Sequence, residues 1–324
     1  MWGNRFGWTI SGAIWLLAAL LAYELYALGQ PTPPTGELVA AVKPFTLGDA
    51  AKAVLPPAKP LGDAGDWYRK AIGDYHAHAS AYAALTQSKD YDRAAVEQLN
   101  GLDDLVAAID CPTMDLFQSK PQEIINYDQN VPALDDLQSL GGTAAYVVTL
   151  AAYDKDYATA RKYATAVLAL GYHLYQERLT YGELSAGISL MGTGSAGLKR
   201  VAERDHDAAA VAAQAAFDRA RLDEDATAVE PVWKILSGQS DATIARYAGD
   251  FFQLAKDTAA DEVWRVEALR RLGRLQLNAA RHADNVWAKR YLRQAADDAS
   301  LDPVLHQAAV SARDITSYEN QSAR

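Results

Sequence analysis

The chain has 324 residues, 50% of them hydrophobic and 22% charged, a balance that supports a sizeable core and excludes a disordered polymer. A net charge of −10 excludes nucleic-acid binding by the chain as a whole, because neutralising phosphates takes a surplus of Lys and Arg. The single cysteine, Cys111, excludes an intrachain disulfide and any zinc site built on cysteines, and it reads as a buried thiol.

The first predicted element is a membrane span. After a short N-terminus (residues 1–7), residues 8–28, "WTISGAIWLLAALLAYELYAL", form about 31 Å of helix at roughly 1.5 Å per residue, the thickness of a hydrocarbon core. Between Phe6 and Gly36 the one charge is Glu24, and Trp8, Tyr23 and Tyr26 fall where an interfacial aromatic belt would sit. Arg5 precedes the span and the first cation after it is Lys43, so the N-terminus is placed in the cytoplasm. The main domain is then periplasmic, held at a bacterial inner membrane with the bilayer as a partner. The same stretch also reads as a cleavable export signal, with a shorter apolar run and "ALG" before Gln30. The span is preferred because the apolar run continues through "YELYAL". Small residues around Gly12 and Ala13 offer it a packing face toward other membrane helices.

Residues 29–62 carry seven of the twelve prolines and are expected to be a stand-off linker. Its reach is about 30 Å if flexible and up to about 100 Å if polyproline-like. Within it, "TGELVAAVKPF" is the piece able to pack on the domain or to dock a partner.

Residues 63–318 are expected to be all-α, because alanine-rich stretches recur and alternating β-branched runs are nearly absent. Helices are predicted over about 64–87 and 91–110, then, after an irregular insert over 111–131, over about 133–156 and 156–184, with the turn between the last two at "KDY". In the last of these Tyr157, Ala160, Ala164, Val167, Leu168, Gly171, Leu174, Tyr175 and Leu179 recur at three- and four-residue spacing. The glycines of "MGTGSAG", 191–197, predict a hinge between two helical halves. A late helix pair follows from Glu262, then "DPVLHQAAVSARDIT" from Asp302, and residues 319–324 are expected to be a disordered tail.

"Y-x-x-A-x-x-Y-A-x-x-V-L-A-L" over 157–170, after the turn "KDY", resembles the second helix of a tetratricopeptide repeat, and the closing "DPVLHQAAVSARDIT" resembles a HEAT-type helix. The chain is also similar to single-pass bacterial envelope proteins with exported helical domains. The resemblance implies an α-solenoid of antiparallel helix pairs and brings no activity with it.

Few residues point to chemistry. His76 and His78, two apart on a helix, face in different directions and cannot share a metal, whereas Asp74 and His78 are spaced for a hydrogen bond or ion pair. His173 and Glu177, four apart, with Glu183 beyond, form the best polar cluster for a metal or acid–base site, against the plainer reading of interhelix hydrogen bonds. No nucleophile elbow or phosphate-binding loop is present, and no catalytic residue, cofactor or metal is assigned. Arg270, Arg274 and Arg281 line one side of the late helix opposite Trp264, Ala268, Leu272, Leu275 and Ala279, so they are expected on its outward face. That face is able to meet an acidic partner or lipid headgroups.

Two functions remain open at this point. One is a membrane-anchored helical-repeat scaffold or accessory subunit that binds other envelope proteins through Tyr146, Tyr153, Tyr172 and Trp233. The other is an exported helical enzyme or ligand-binding domain with its polar site at His173, Glu177 and Glu183.

Overall fold

The structure, a computed structural model, describes residues 15, 17–21, 36–116, 132–237, 246–278 and 285–322. Among them it is helical, without strands apart from a single bridge between Asp63 and Thr113. Most of the span expected at 8–28, with Trp8, Tyr23 and Tyr26, lies outside the described residues, as do Arg281 and most of the 111–131 insert. Among the described residues no helix is long and apolar enough to cross a membrane.

The chain forms two compact units. The larger comprises residues 42–233 and 259–267; the smaller comprises 1–41, 234–258 and 268–324.

In the larger unit, the two short helices α1 (Glu37–Ala41) and α2 (Leu47–Lys52) of the preceding segment are followed by α3 (Ala64–Ala77), and of these α2 and α3 belong here. The single helix expected over 64–87 breaks at His78, and α4 (Ala79–Gln87) follows. The cause is Asp74. Its carboxylate takes the Tyr82 hydroxyl at 2.7 Å, the Gly101 amide at 2.8 Å and the His78 ring at 3.0 Å. Residues eight apart lie about 12 Å apart along a straight helix, so the Tyr82 bond favours a bend. The second expected helix likewise appears as two pieces, α5 (Arg93–Glu97) and α6 (Asn100–Ala107).

Helices α7 (Pro132–Tyr153), α8 (Tyr157–Glu177), α9 (Tyr181–Arg204) and α10 (Ala208–Glu224) are joined by three-residue turns, which makes neighbours antiparallel. Each turn contains one non-glycine residue at positive φ, namely Lys155, Arg178 and His206. The helix after each turn is capped locally. Asp156 accepts from Thr159 N, Thr180 and Glu183 form a capping box, and Asp207 accepts from Ala210 N. Such caps are worth about 1 kcal/mol each.

The hinge expected at 191–197 is absent, because those residues lie inside the uninterrupted helix α9. The glycines serve contact instead. A Cβ on Gly194 would stand 2.4 Å from the Leu168 amide nitrogen, one on Gly187 2.7 Å from Tyr175 N, and one on Gly171 2.5 Å from Met191 N. Helices α8 and α9 therefore touch backbone to backbone, which only glycine permits. Helix α8 becomes the centre of the unit, with Ala166, Ala169, Leu170, Tyr172 and His173 buried in addition to the expected stripe.

The expected linker is also folded from Gly36 onward. Leu47 and Ala51 of α2 are buried in the larger unit, and Lys59 N bonds Asp110 O at 2.7 Å. Thr46 gives α2 no side-chain cap. Glu224, the last residue of α10, supplies it from far along the chain, one carboxylate oxygen accepting from Thr46 N, from the Thr46 hydroxyl at 3.0 Å and from Leu47 N at 2.7 Å. The other oxygen takes the Tyr175 hydroxyl at 2.7 Å. A π-helical turn, Asp225–Val229, follows at once, leading into α11 (Glu230–Ser237).

The smaller unit contains α1, α12 (Ala248–Lys256), most of α13 (Glu262–Asn278), α14 (Asn285–Ala296) and α15 (Pro303–Ser322). Helix α1 packs on α12, with Leu38 fully buried, Gly36 N on Asp250 Oδ1 at 3.3 Å and the Tyr247 hydroxyl on Glu37. Helix α12 packs on α14, and α14 on α15, which Asp302 caps through Leu305 N. Helix α15 runs through Ser322, so residues 319–322 are helical where a disordered tail was expected.

Candidate functional site

The polar cluster expected from the sequence sits at the turn between α8 and α9, where α8 ends against the extended segment 111–116. His173 is buried and both ring nitrogens are occupied: Nδ1 lies 2.7 Å from the Tyr68 hydroxyl and Nε2 3.0 Å from the Cys111 carbonyl oxygen. A carbonyl only accepts, so Nε2 carries the proton and Nδ1 accepts from Tyr68. Burial pulls the His173 pKa down to about 4, which keeps the ring neutral.

Glu177 accepts the Leu116 amide on Oε1 at 3.0 Å. Its Oε2 is buried with no hydrogen-bond partner among the described residues. Burial, and then the Glu183 carboxylate, push the Glu177 pKa up to about 8. At neutral pH this side chain is therefore mostly a neutral acid. Glu183 is fully buried, and its Oε2 accepts Thr180 N at 2.8 Å within the capping box.

The same segment is gripped from α3. Asp63 Oδ1 accepts both Gly65 N and Asp115 N at 2.8 Å, and Arg69 Nη1 donates to the Asp115 and Leu116 carbonyls. A Cβ on Gly65 would lie 2.3 Å from the Asp115 carbonyl oxygen, so the helix start and the segment are in backbone contact. His173, Glu177, Asp63 and Arg69 thus converge on one stretch of backbone. None of the four converges on an open reaction centre.

A cleft of about 400 Å³ adjoins this corner, walled by Leu55, Pro56, Pro57, Pro112, Tyr172 and Gln176. Of the expected trio, His173 alone reaches it, through a ring whose nitrogens are both bonded. Cys111 also borders the cleft, and burial raises its thiol pKa, which disfavours the thiolate that nucleophilic chemistry needs. Among the described residues no three His, Cys, Asp or Glu side chains gather as a metal site.

The four aromatic candidates do not share one surface. Tyr146 is half-buried and donates to the Ser88 carbonyl, and Tyr172 is buried and accepts from Gln176 at 2.6 Å. Trp233 stacks on Tyr181 with ring centres 3.6 Å apart and planes within 4°. Tyr153 alone stands clear, 86% exposed. The arginine candidates need a correction: Arg270 and Arg274 are half-buried, and their neighbour Arg271 is buried, so α13 has no open arginine face over these residues. Helix α13 is covered nearly all round because Val263, Val266 and Leu269 add apolar contacts outside the expected Trp264–Leu275 stripe.

Two residues that matter here were not found from the sequence. Glu224 carries no local signal, since Thr46 and Leu47 lie almost 180 residues earlier and Tyr175 lies 49 earlier. Arg178 donates to both Asp261 carboxylate oxygens at 2.8 and 2.9 Å while its guanidinium lies over Phe45 and Tyr175. Its positive φ of 25° fits the turn position and is not visible in residue type. No family model, curated protein or solved structure matches the chain.

Proposed function

We propose that this chain is a membrane-held helical scaffold, an accessory subunit that binds another envelope protein through its outer surface. What carries the reading is that the polar groups of this region are turned inward: both ring nitrogens of His173 are bonded, and His173, Glu183 and Glu224 hold the chain's own backbone. A catalytic use of His173 would first require breaking one of two buried bonds, each worth about 1 kcal/mol.

The antiparallel succession α7 to α10 supports a tetratricopeptide-like solenoid as the binding frame. Membrane attachment through residues 8–28, with the main domain in the periplasm, is part of the proposal. Residues 15 and 17–21 are helical, and Trp15, Leu17, Leu20 and Leu21 are each more than half exposed, the pattern of an apolar helix that lipid would cover.

The test is purification of the full chain from gently solubilised membranes. A stable partner should co-purify with a chain that retains residues 1–29. Tyr153→Ala should reduce that recovery, because this side chain is exposed and supports nothing inside the fold. Glu177→Gln should leave it unchanged. Recovery of the chain alone, as a monomer beginning at Gln30, would overturn the proposal.

A further inference from the structure

The glycine-rich stretch of α9 builds a cleft as well as the crossing with α8. Ser189, Thr193, Ala196 and Arg200 recur at three- and four-residue spacing and are exposed on one face of α9. Ala145 and Thr149, four apart on α7, stand across from them. Between the two helices, within the larger unit, lies a cleft of about 470 Å³. Its floor is apolar. Gly197 lets α9 sit close on Val148 and Ala164, since a Cβ there would lie 3.1 and 3.0 Å from their side chains, and Val167 continues the floor along α8.

Arginines line the cleft at two stations along α9. Arg221, from α10, lies against Gly192, where a Cβ would come within 2.8 Å of its guanidinium carbon. Its side chain is only 18% exposed, yet it makes no hydrogen bond among the described residues: Nε is buried without a partner, and Asp218 Oδ1 stands 3.7 Å from it, beyond hydrogen-bond reach. A guanidinium has five N–H donors, and buried polar groups are normally bonded. Arg200, eight residues beyond Gly192 and about 12 Å along the helix, is exposed, and its Nη1 meets the Thr149 hydroxyl at 3.5 Å.

Among the described residues no carboxylate lines the cleft, although the chain carries a net charge of −10. Asp218 and Asp225, which act on Arg221 electrostatically, stand on its own helix and in the π-helical turn that follows. Helix α7 brings no charged residue after Asp136.

We propose that this cleft binds a small aliphatic dicarboxylate, one carboxylate on Arg221 and the other at Arg200, with the methylene chain on the floor formed by Val148, Ala164 and Val167. The planar fork of a guanidinium matches a carboxylate with two parallel bonds, and Ser189 adds a hydroxyl beside the Arg221 station. The volume is that of a small-molecule pocket, and the two cations set the length of the ligand. A monocarboxylate or inorganic phosphate leaves one arginine unmatched. This site goes beyond the scaffold reading and does not depend on membrane attachment.

The experiment is isothermal titration calorimetry of the full chain in non-ionic detergent, with succinate, adipate and suberate as probes and with hexanoate and inorganic phosphate beside them. Adipate or suberate should saturate one site and bind about tenfold tighter than hexanoate or phosphate. Arg221→Gln should weaken that binding about tenfold, and Arg200→Gln, at an exposed position, about threefold. Gly192→Ala should act in the same direction as Arg221→Gln while keeping the charge, because the new Cβ pushes the guanidinium off α9. Native-like circular dichroism separates lost binding from lost folding. If Arg221→Gln does not fold, Arg200→Gln decides, through loss of the preference for dicarboxylate over hexanoate. No binding of any dicarboxylate, equal binding of hexanoate or phosphate, or unchanged affinity in Arg200→Gln overturns the proposal. So does tighter binding of an extended acidic peptide than of every dicarboxylate.

Discussion

The α8–α9 crossing and the segment from Gly36 to Pro60 make an instructive pair, since both carry residues that usually break structure and both are folded. In the crossing, glycine removes side chains so that two helices meet backbone to backbone. In the proline-bearing segment the helices are too short to stand alone, and remote carboxylates, Glu224 and Asp250, take the amides at their starts. The first is held by packing along its length. The second is held by those bonds together with the burial of Leu38, Leu47 and Ala51.

The largest effect should come from breaking the crossing. Gly194→Ala gains about 1 kcal/mol of helix propensity but forces a Cβ to within 2.4 Å of Leu168 N, and overpacking of backbone costs more than it returns. A net loss of about 2–3 kcal/mol is expected, seen as a lower urea midpoint for the whole larger unit.

Next in size is the response to pH, which reads the polar corner beside the crossing. Glu177 has a folded pKa of about 8 against an ordinary 4.5, so the folded state holds a proton that the unfolded chain releases, and stability falls as pH rises from 4.5 to 8. His173 acts with the opposite sign: its folded pKa of about 4 lies below 6.5, so stability is lost as pH falls through that window. The two slopes oppose each other between 4.5 and 6.5, and above 6.5 the Glu177 slope stands alone. Stability should fall by up to about 2 kcal/mol between pH 6.5 and 8, at roughly 1.4 kcal/mol per unit, and level off above. Glu177→Gln should flatten that limb in denaturant titrations.

A smaller and more local effect is expected from Glu224→Gln, which replaces one oxygen of a carboxylate that accepts from four donors. The loss of about 1–2 kcal/mol should appear as faster hydrogen exchange over 46–52, with α8 amides little changed. The smallest effect has the other sign. A Cβ on Gly142, exposed on α7, meets nothing within 4 Å, so Gly142→Ala should raise the thermal midpoint, by about 0.5–1 kcal/mol of stability.

The contrast also shows what the sequence could and could not convey. Helices α7 and α8 were legible because apolar spacing and local caps such as Asp156 lie within a few residues of one another, whereas the single helix expected over 156–184 breaks at 178–180, where α9 begins anew behind its own capping box. Asp74 and His78 pair as their spacing implies. The hinge was misplaced at 191–197 because glycine content alone cannot distinguish a break from a close approach; the deciding atoms, Leu168 N and Tyr175 N, lie on another helix. Within the expected tether the piece "TGELVAAVKPF" packs as one of its two readings allowed, with Leu38 buried, whereas the folding of α2 was not legible because its cap is a carboxylate almost 180 residues away. At the candidate site the spacing of His173 and Glu177 was readable. Their partners on the 111–116 backbone were not, since backbone groups have no sequence signature.

The proline-bearing segment is part of the fold through Glu224. Native-state hydrogen exchange of the full chain measures it at the amides of Thr46 and Leu47, which donate to Glu224. Protection comparable to that of local opening in the larger unit, lost in Glu224→Gln, is the predicted result. Exchange of both amides at the rate of unstructured peptide in the wild-type chain would contradict it.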